Sequence, residues 1–164
     1  MEKRIKRIEI ITIISLFLIV GNLIYLISNK TISKNTDTTE IKETKNLSSD
    51  ITRKYSDKIL FKIKNDFNRS EWNKLYDVFG EYAKSQISID QISSEFKKLR
   101  AATGKINTYG YSHYIYEGYT ESADWFELHY KCRYDNGKGT IKISTRTVDG
   151  ISEIVGVVIN LDEL

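Results

Sequence analysis

The sequence predicts an α+β protein in which an amino-terminal transmembrane helix is followed by three helices packed on a curved antiparallel sheet. Three observations carry that prediction. Ile10 to Ile27 is an uncharged run of 18 residues, apolar positions recur at helical spacing from Ile51 to Leu99, and apolar positions alternate from Ile106 onward.

At about 1.5 Å per residue, the run from Ile10 to Ile27 crosses roughly 27 to 30 Å of hydrocarbon as one helix. A cleaved secretory signal shares the basic start, but its apolar region is shorter and small residues flank the cut. Here the exit reads Tyr25, Leu26, Ile27, Ser28, with bulky Leu26 two positions before the residue at the best cut, so the run reads as an uncleaved anchor. No cysteine borders it, which excludes a lipid-modified amino terminus. Lys3, Arg4, Lys6 and Arg7 are packed against the amino side, whereas Lys30, Lys34, Lys42 and Lys45 are spread along the other. The amino terminus is therefore expected inside and the carboxyl domain outside, in a periplasm or the open medium. Thr12, Ser15 and Asn22 share a face of this helix and offer a contact to another, although a lone anchor also tolerates such residues.

The chain divides into a cytoplasmic tail at 1–9, the membrane helix at 10–27, a flexible tether at 28–50 and a folded domain at 51–164. Polar composition with isolated Ile and no apolar period marks the tether. Beyond it, Ile51, Tyr55, Ile59, Ile63 and Phe67 recur at four-residue spacing with Leu60 beside them, after the cap candidates Ser48, Ser49 and Asp50. A second, short helix follows Ser70, with Trp72, Leu75, Tyr76 and Phe79 on one stripe and Gly80 as its stop. The third carries Ser88 and Gln91 at capping-box spacing, the stripe Ile89, Ile92, Phe96 and Leu99, and a stop at Gly104.

Ile106 to Glu117 is dense in tyrosine and reads as a strand. Trp125 to Tyr134 alternates strictly: Phe126, Leu128, Tyr130, Cys132 and Tyr134 fall on one side, and Trp125, Glu127, His129, Lys131 and Arg133 on the other. Turns at Asp135–Gly137 and Asp149–Gly150 separate two more strands, the last of which, Ile151 to Leu161, is apolar on both faces and so expected to be central or covered.

A long helix, a short W-x-x-L-Y-x-x-F helix at Trp72 to Phe79, an I-S-x-x-x-F-x-x-x-L helix ended by glycine and then an antiparallel meander resemble the NTF2-like (cystatin-like) superfamily. The likeness covers Ile51 to Leu164 and is strongest with its small membrane-anchored bacterial domains. It implies a sheet curled round the long helix as a cone, a fold that hosts enzymes, binding modules and assembly scaffolds alike. A membrane helix, a tether and such an outer domain also resemble the layout of VirB8-type components of secretion and conjugation machines.

Most of the formal charge of +3 comes from the residues before the anchor, which leaves the outer domain nearly neutral and excludes a basic nucleic-acid groove. Cys132 is the single cysteine, so no intrachain disulfide forms, and its alternation with apolar residues makes it a buried thiol. Two histidines sixteen positions apart with one thiol give no metal-ligand spacing, and no Gly-rich phosphate loop precedes a helix. No catalytic residue, metal ligand or cofactor is therefore assigned.

Enzymes of the resembled fold work from the cone interior with an acid–base pair. His113, Asp124, Glu127, His129 and the strand tyrosines are the residues able to serve, but Glu127 and His129 lie on the polar side of their strand. The expectation is a non-catalytic binding or assembly module held to the membrane by its single helix, meeting a protein partner or a second copy. Trp125, His129 and Arg133 form its candidate interaction surface, being the residue types that anchor interfaces. The alternative, a small-molecule carrier or enzyme, would use a pocket lined by His113, Tyr109 and Tyr111.

Overall fold

The structure is a computed structural model and describes residues 53–162. Four helices come first: α1 (Arg53–Arg69), α2 (Trp72–Tyr76), α3 (Glu81–Lys84) and α4 (Ile89–Thr103). Four strands follow, β1 (Ile106–Thr120), β2 (Ala123–Tyr134), β3 (Gly137–Val148) and β4 (Ile151–Leu161), paired antiparallel in one sheet of order β1-β2-β3-β4.

The expected architecture of a membrane helix, three helices and an NTF2-like cone is corrected by this arrangement. Among the described residues four helices precede the sheet: the expected short helix is cut off after Tyr76, before Phe79, and beyond an interruption a further helix, Glu81–Lys84, follows Gly80, where only a stop was expected. The interruption has a physical cause: Gly80 N donates to Ile154 O on β4 at 2.8 Å, which turns the chain out of helical geometry to dock on the sheet edge. A Cβ at position 80 would run into the Glu153 side chain, so glycine permits this approach. No helix among the described residues is long and apolar enough to cross a membrane, and the expected span at Ile10–Ile27 lies outside them.

The buried stripe of α1 is Ser56, Leu60, Ile63 and Phe67, with Tyr55 41% exposed. A strict four-residue period advances about 40° per step round a helix of 3.6 residues per turn, so Tyr55 has rotated away from the face that Ile63 and Phe67 share. Phe67 is the hub of the helical layer, with Trp72 and Phe96 both edge-on to its ring at 6.1 Å. Phe79 in turn sits 6.4 Å from Phe96. Helix α4 begins with the capping box its sequence predicts: the Ser88 hydroxyl accepts from Gln91 N while the Gln91 side chain accepts from Ser88 N.

Two clamps fix the helices to the sheet. Asn68 pairs with the backbone of Ile106 in both directions, at 2.8 and 2.9 Å, and Lys64 Nζ donates to Asn107 O at 2.7 Å. At the end of α4, Gly104 takes a positive φ of 75°, and the β2–β3 turn closes on it. There Asp135 accepts from Lys105 N at 2.8 Å, and Asn136 donates to Ala102 O at 2.7 Å.

Phe126, Leu128, Tyr130, Ile141, Ile143, Ile154, Val157 and Ile159 are buried on the sheet face that meets the helices. In β4 a bulge at Val155 changes the alternation, since Ser144 pairs with Gly156 but Thr145 pairs with Ile154. That phase change explains the strand's apolar look on both sides, and β4 is an edge strand, not a central one. The opposite edge, β1, carries three such one-residue insertions, at Asn107, Ser112 and Glu117.

Candidate functional site

The β1 insertions decide which side chains meet. Between Tyr111, paired with Tyr130, and His113, paired with His129, the extra residue Ser112 reverses the phase of the strand. Tyr109 and Tyr111 therefore face the helices, each edge-on to Tyr130 at 6.4 and 5.6 Å, while His113 faces the other way. The same pattern repeats past the bulge, where Tyr114 and Tyr116 flank Phe126 at 6.3 and 5.2 Å. These tyrosines are spent on cross-strand aromatic packing. Burial raises the Tyr109 and Tyr130 hydroxyls above the usual phenol range, with Ser56 of α1 reached by the Tyr130 hydroxyl. His113, Tyr109 and Tyr111 thus do not line a common pocket.

The face turned away from α1 has three zones. At one end Tyr82 of α3 lies across it. Its ring meets Trp125 edge-on at 5.6 Å, the Arg146 guanidinium sits 4.6 Å above the same ring, and its hydroxyl donates to Glu121 at 3.1 Å. Arg146 is held in turn by Glu153 at 3.1 Å, and Trp125 Nε1 donates to Thr120 O at 3.1 Å. Trp125 is consequently only 8% exposed, a packed residue where an interface anchor was expected.

In the centre the two histidines stack, with ring centroids 4.4 Å apart and planes 18° from parallel. Ser112 Oγ lies 3.0 Å from His113 Nδ1. Glu127 Oε1 stands 2.6 Å from His129 Nε2, without the alignment of a hydrogen bond, and accepts from Lys142 Nζ at 3.2 Å. Burial lowers the pKa of His129; Glu127 opposes the shift, and Lys142 and His113 add to it. Parallel rings present faces to each other and do not converge their nitrogens on one point. Among the described residues, no group of three or more His, Cys, Asp or Glu side chains is placed to hold a metal ion. Cys132 lies on the helix-facing side, its thiol pushed up to about 11 by burial, and contributes no nucleophile here.

The third zone runs towards the β2–β3 turn. Pairing of Tyr134 with Gly137 places Arg133 directly across from Lys138, Lys131 across from Thr140 and His129 across from Lys142. Arg133, Lys131 and Lys138 are exposed. Of the expected surface set, Arg133 belongs to this cationic strip and His129 borders it across from Lys142, whereas Trp125 is eight residues from Arg133, roughly 27 Å along an extended strand. Lys131, Lys138 and Lys142 were not singled out from sequence. The signal was present: a two-residue turn at Asp135–Asn136 fixes the register, and the register pairs the cations.

Compared with known proteins, the chain matches no protein-family model and no curated sequence.

Proposed function

We propose that the protein is a membrane-anchored, extracytoplasmic binding or assembly module, non-catalytic, which engages its partner through the sheet face turned away from α1. The observation that carries this reading is the division of labour between the two faces. Between helices and sheet, Leu60, Ile63, Phe67, Leu128, Tyr130 and Ile141 are fully buried or within a percent of it, so that space is occupied by apolar side chains. The histidines, Glu127 and the unpaired cations stand on the other face, where a partner can reach them. The anchor rests on the uncharged run Ile10–Ile27, and the outward orientation on the basic cluster before it.

The test uses the full chain in bacterial membranes, with a photo-crosslinking residue at Thr140 on the proposed face or at Lys97 on the helical layer. The expected result is a chain that resists alkaline extraction, is cut by protease added outside intact cells, and forms adducts from position 140. A chain released by alkali, or adducts from position 97 alone, would overturn the reading.

A further inference from the structure

We propose that the strip formed by Arg133, Lys138, Lys131 and Lys142 docks on anionic phospholipid headgroups of the bilayer to which the chain is tethered. The inference rests on the anchor reading above and adds to it the identity of one surface and its ligand. Its starting point is a cost within the fold. Like charges directly opposite on neighbouring strands repel, and Arg133 faces Lys138 across β2 and β3 with Lys131 next along the same face.

Acids do not relieve that repulsion. Glu127 lies at the far end of the strip, where Lys142 and His129 share it. Asp135, at the near end, is held by Lys105 N and Asn107 Nδ2, which keep its carboxyl below the usual carboxylate range. Asp162 follows β4, where its N–H donates to Lys138 O at 2.8 Å. Three exposed cations are thus left without an ion-pair partner among the described residues. A ligand bearing several negative charges supplies the missing counter-charge.

Shape narrows the ligand. The strip is two strands wide and its flanks are low: Thr108 and Gly110 on β1, Thr140 on β3, Asn160 on β4. Nothing stands within 4 Å of where a Cβ of Gly110 would be. Such a surface offers no recess for peptide side chains, but a plane of headgroups can lie against it. Reach favours the same answer. The sequence reading puts 23 residues between anchor and domain, and a flexible linker of that length would reach about 26 Å, a distance that leaves the bilayer accessible to the strip. Tethering keeps headgroups at high effective concentration, so a weak electrostatic contact suffices.

The experiment reads lysine reactivity in the full chain reconstituted into vesicles of phosphatidylcholine alone or of phosphatidylcholine mixed with phosphatidylglycerol. Acetylation of Lys131, Lys138 and Lys142 should slow several-fold on the mixed vesicles, while exposed Lys58 and Lys97 of the helical layer should react alike on both. High salt should abolish the difference, and Arg133→Ser with Lys138→Ser, both at exposed positions, should remove the protection of Lys131. Equal reactivity on the two vesicle types overturns the proposal. So does protection by soluble polyphosphate without protection by phosphatidylglycerol, which would assign the strip to a dissolved polyanion. Flotation with neutral vesicles in high salt, where the strip contributes nothing, reports the anchor alone. Its failure is therefore separable from failure of the strip.

Discussion

At the scale of single residues, His129 shows how burial and charge combine on one imidazole. Loss of solvent disfavours its protonated form, Lys142 and His113 push the same way, and Glu127 only partly compensates, so its folded pKa lies below the ordinary value of 6.5. The unfolded chain then binds this proton more readily than the folded one as pH falls. Stability from neutral His129 is accordingly full above about pH 6.5 and declines on acidification below that value. The urea midpoint of the wild type should drop between about pH 7.5 and about pH 5.5, and His129→Asn should show a shallower drop over the same interval. Identical slopes in the two proteins would mean that other groups control this window. His113 belongs in the comparison because its ring is stacked on that of His129, and a second substitution, His113→Asn, separates its part.

Among the elements, the four-residue helix α3 has an effect out of proportion to its length. It rounds the β4 edge through the Gly80 to Ile154 hydrogen bond and delivers Tyr82 over Trp125, Arg146 and Glu121. Tyr82→Ala should uncover the indole and cost about 1–2 kcal/mol, the size of an aromatic pair with a cation above it. In a Trp72→Phe background the change reads directly as a red shift of Trp125 emission; an unshifted spectrum would show that other atoms bury that ring. None of this was legible in sequence, because the contact joins residues 43 apart through a turn that no local signal announces. What was legible had short-range causes: the capping box at Ser88, the alternation along β2 and the Asp149–Gly150 turn, whose φ angles of 50° and 81° suit that dipeptide. The neighbouring β1–β2 turn puts Glu121 and Ser122 at φ 52° and 57° and lacks any glycine signature, which hid it. Strand β1 misled for a different reason. Its helix-facing residues Ile106, Tyr109, Tyr111, Tyr114 and Tyr116 are spaced three, two, three, two, so each bulge absorbs one residue and a period of two never appears. Reading that spacing would have placed His113 beside His129 and away from Tyr109 and Tyr111.

At the scale of the molecule, the four-stranded sheet of the described residues has two edges to keep from pairing with other chains. The β4 edge is engaged in part by Gly80, whose N–H occupies the Ile154 carbonyl. On β1, a 15-residue strand, the insertions at Asn107, Ser112 and Glu117 recur every five residues and interrupt the even row of donors and acceptors that another strand would need. The same insertions leave the core phase intact: Asn107 falls between Ile106 and Tyr109, and Ser112 between Tyr111 and Tyr114, pairs that face the helices, while Glu117 follows Tyr116. Removing Ser112 and Glu117 therefore straightens β1 without turning any ring to the wrong side: His113 would still follow Tyr111 onto the far face, and Gly118 would still follow Tyr116. The double deletion should retain its circular dichroism and gain concentration-dependent association through the regularised edge, seen as larger species by sedimentation velocity beside a wild type at equal concentration in the same detergent. A folded variant that sediments as the wild type does would show that the bulges serve the sheet's twist alone. In that case protection of the open edge has to come from the charged and polar side chains that β1 displays.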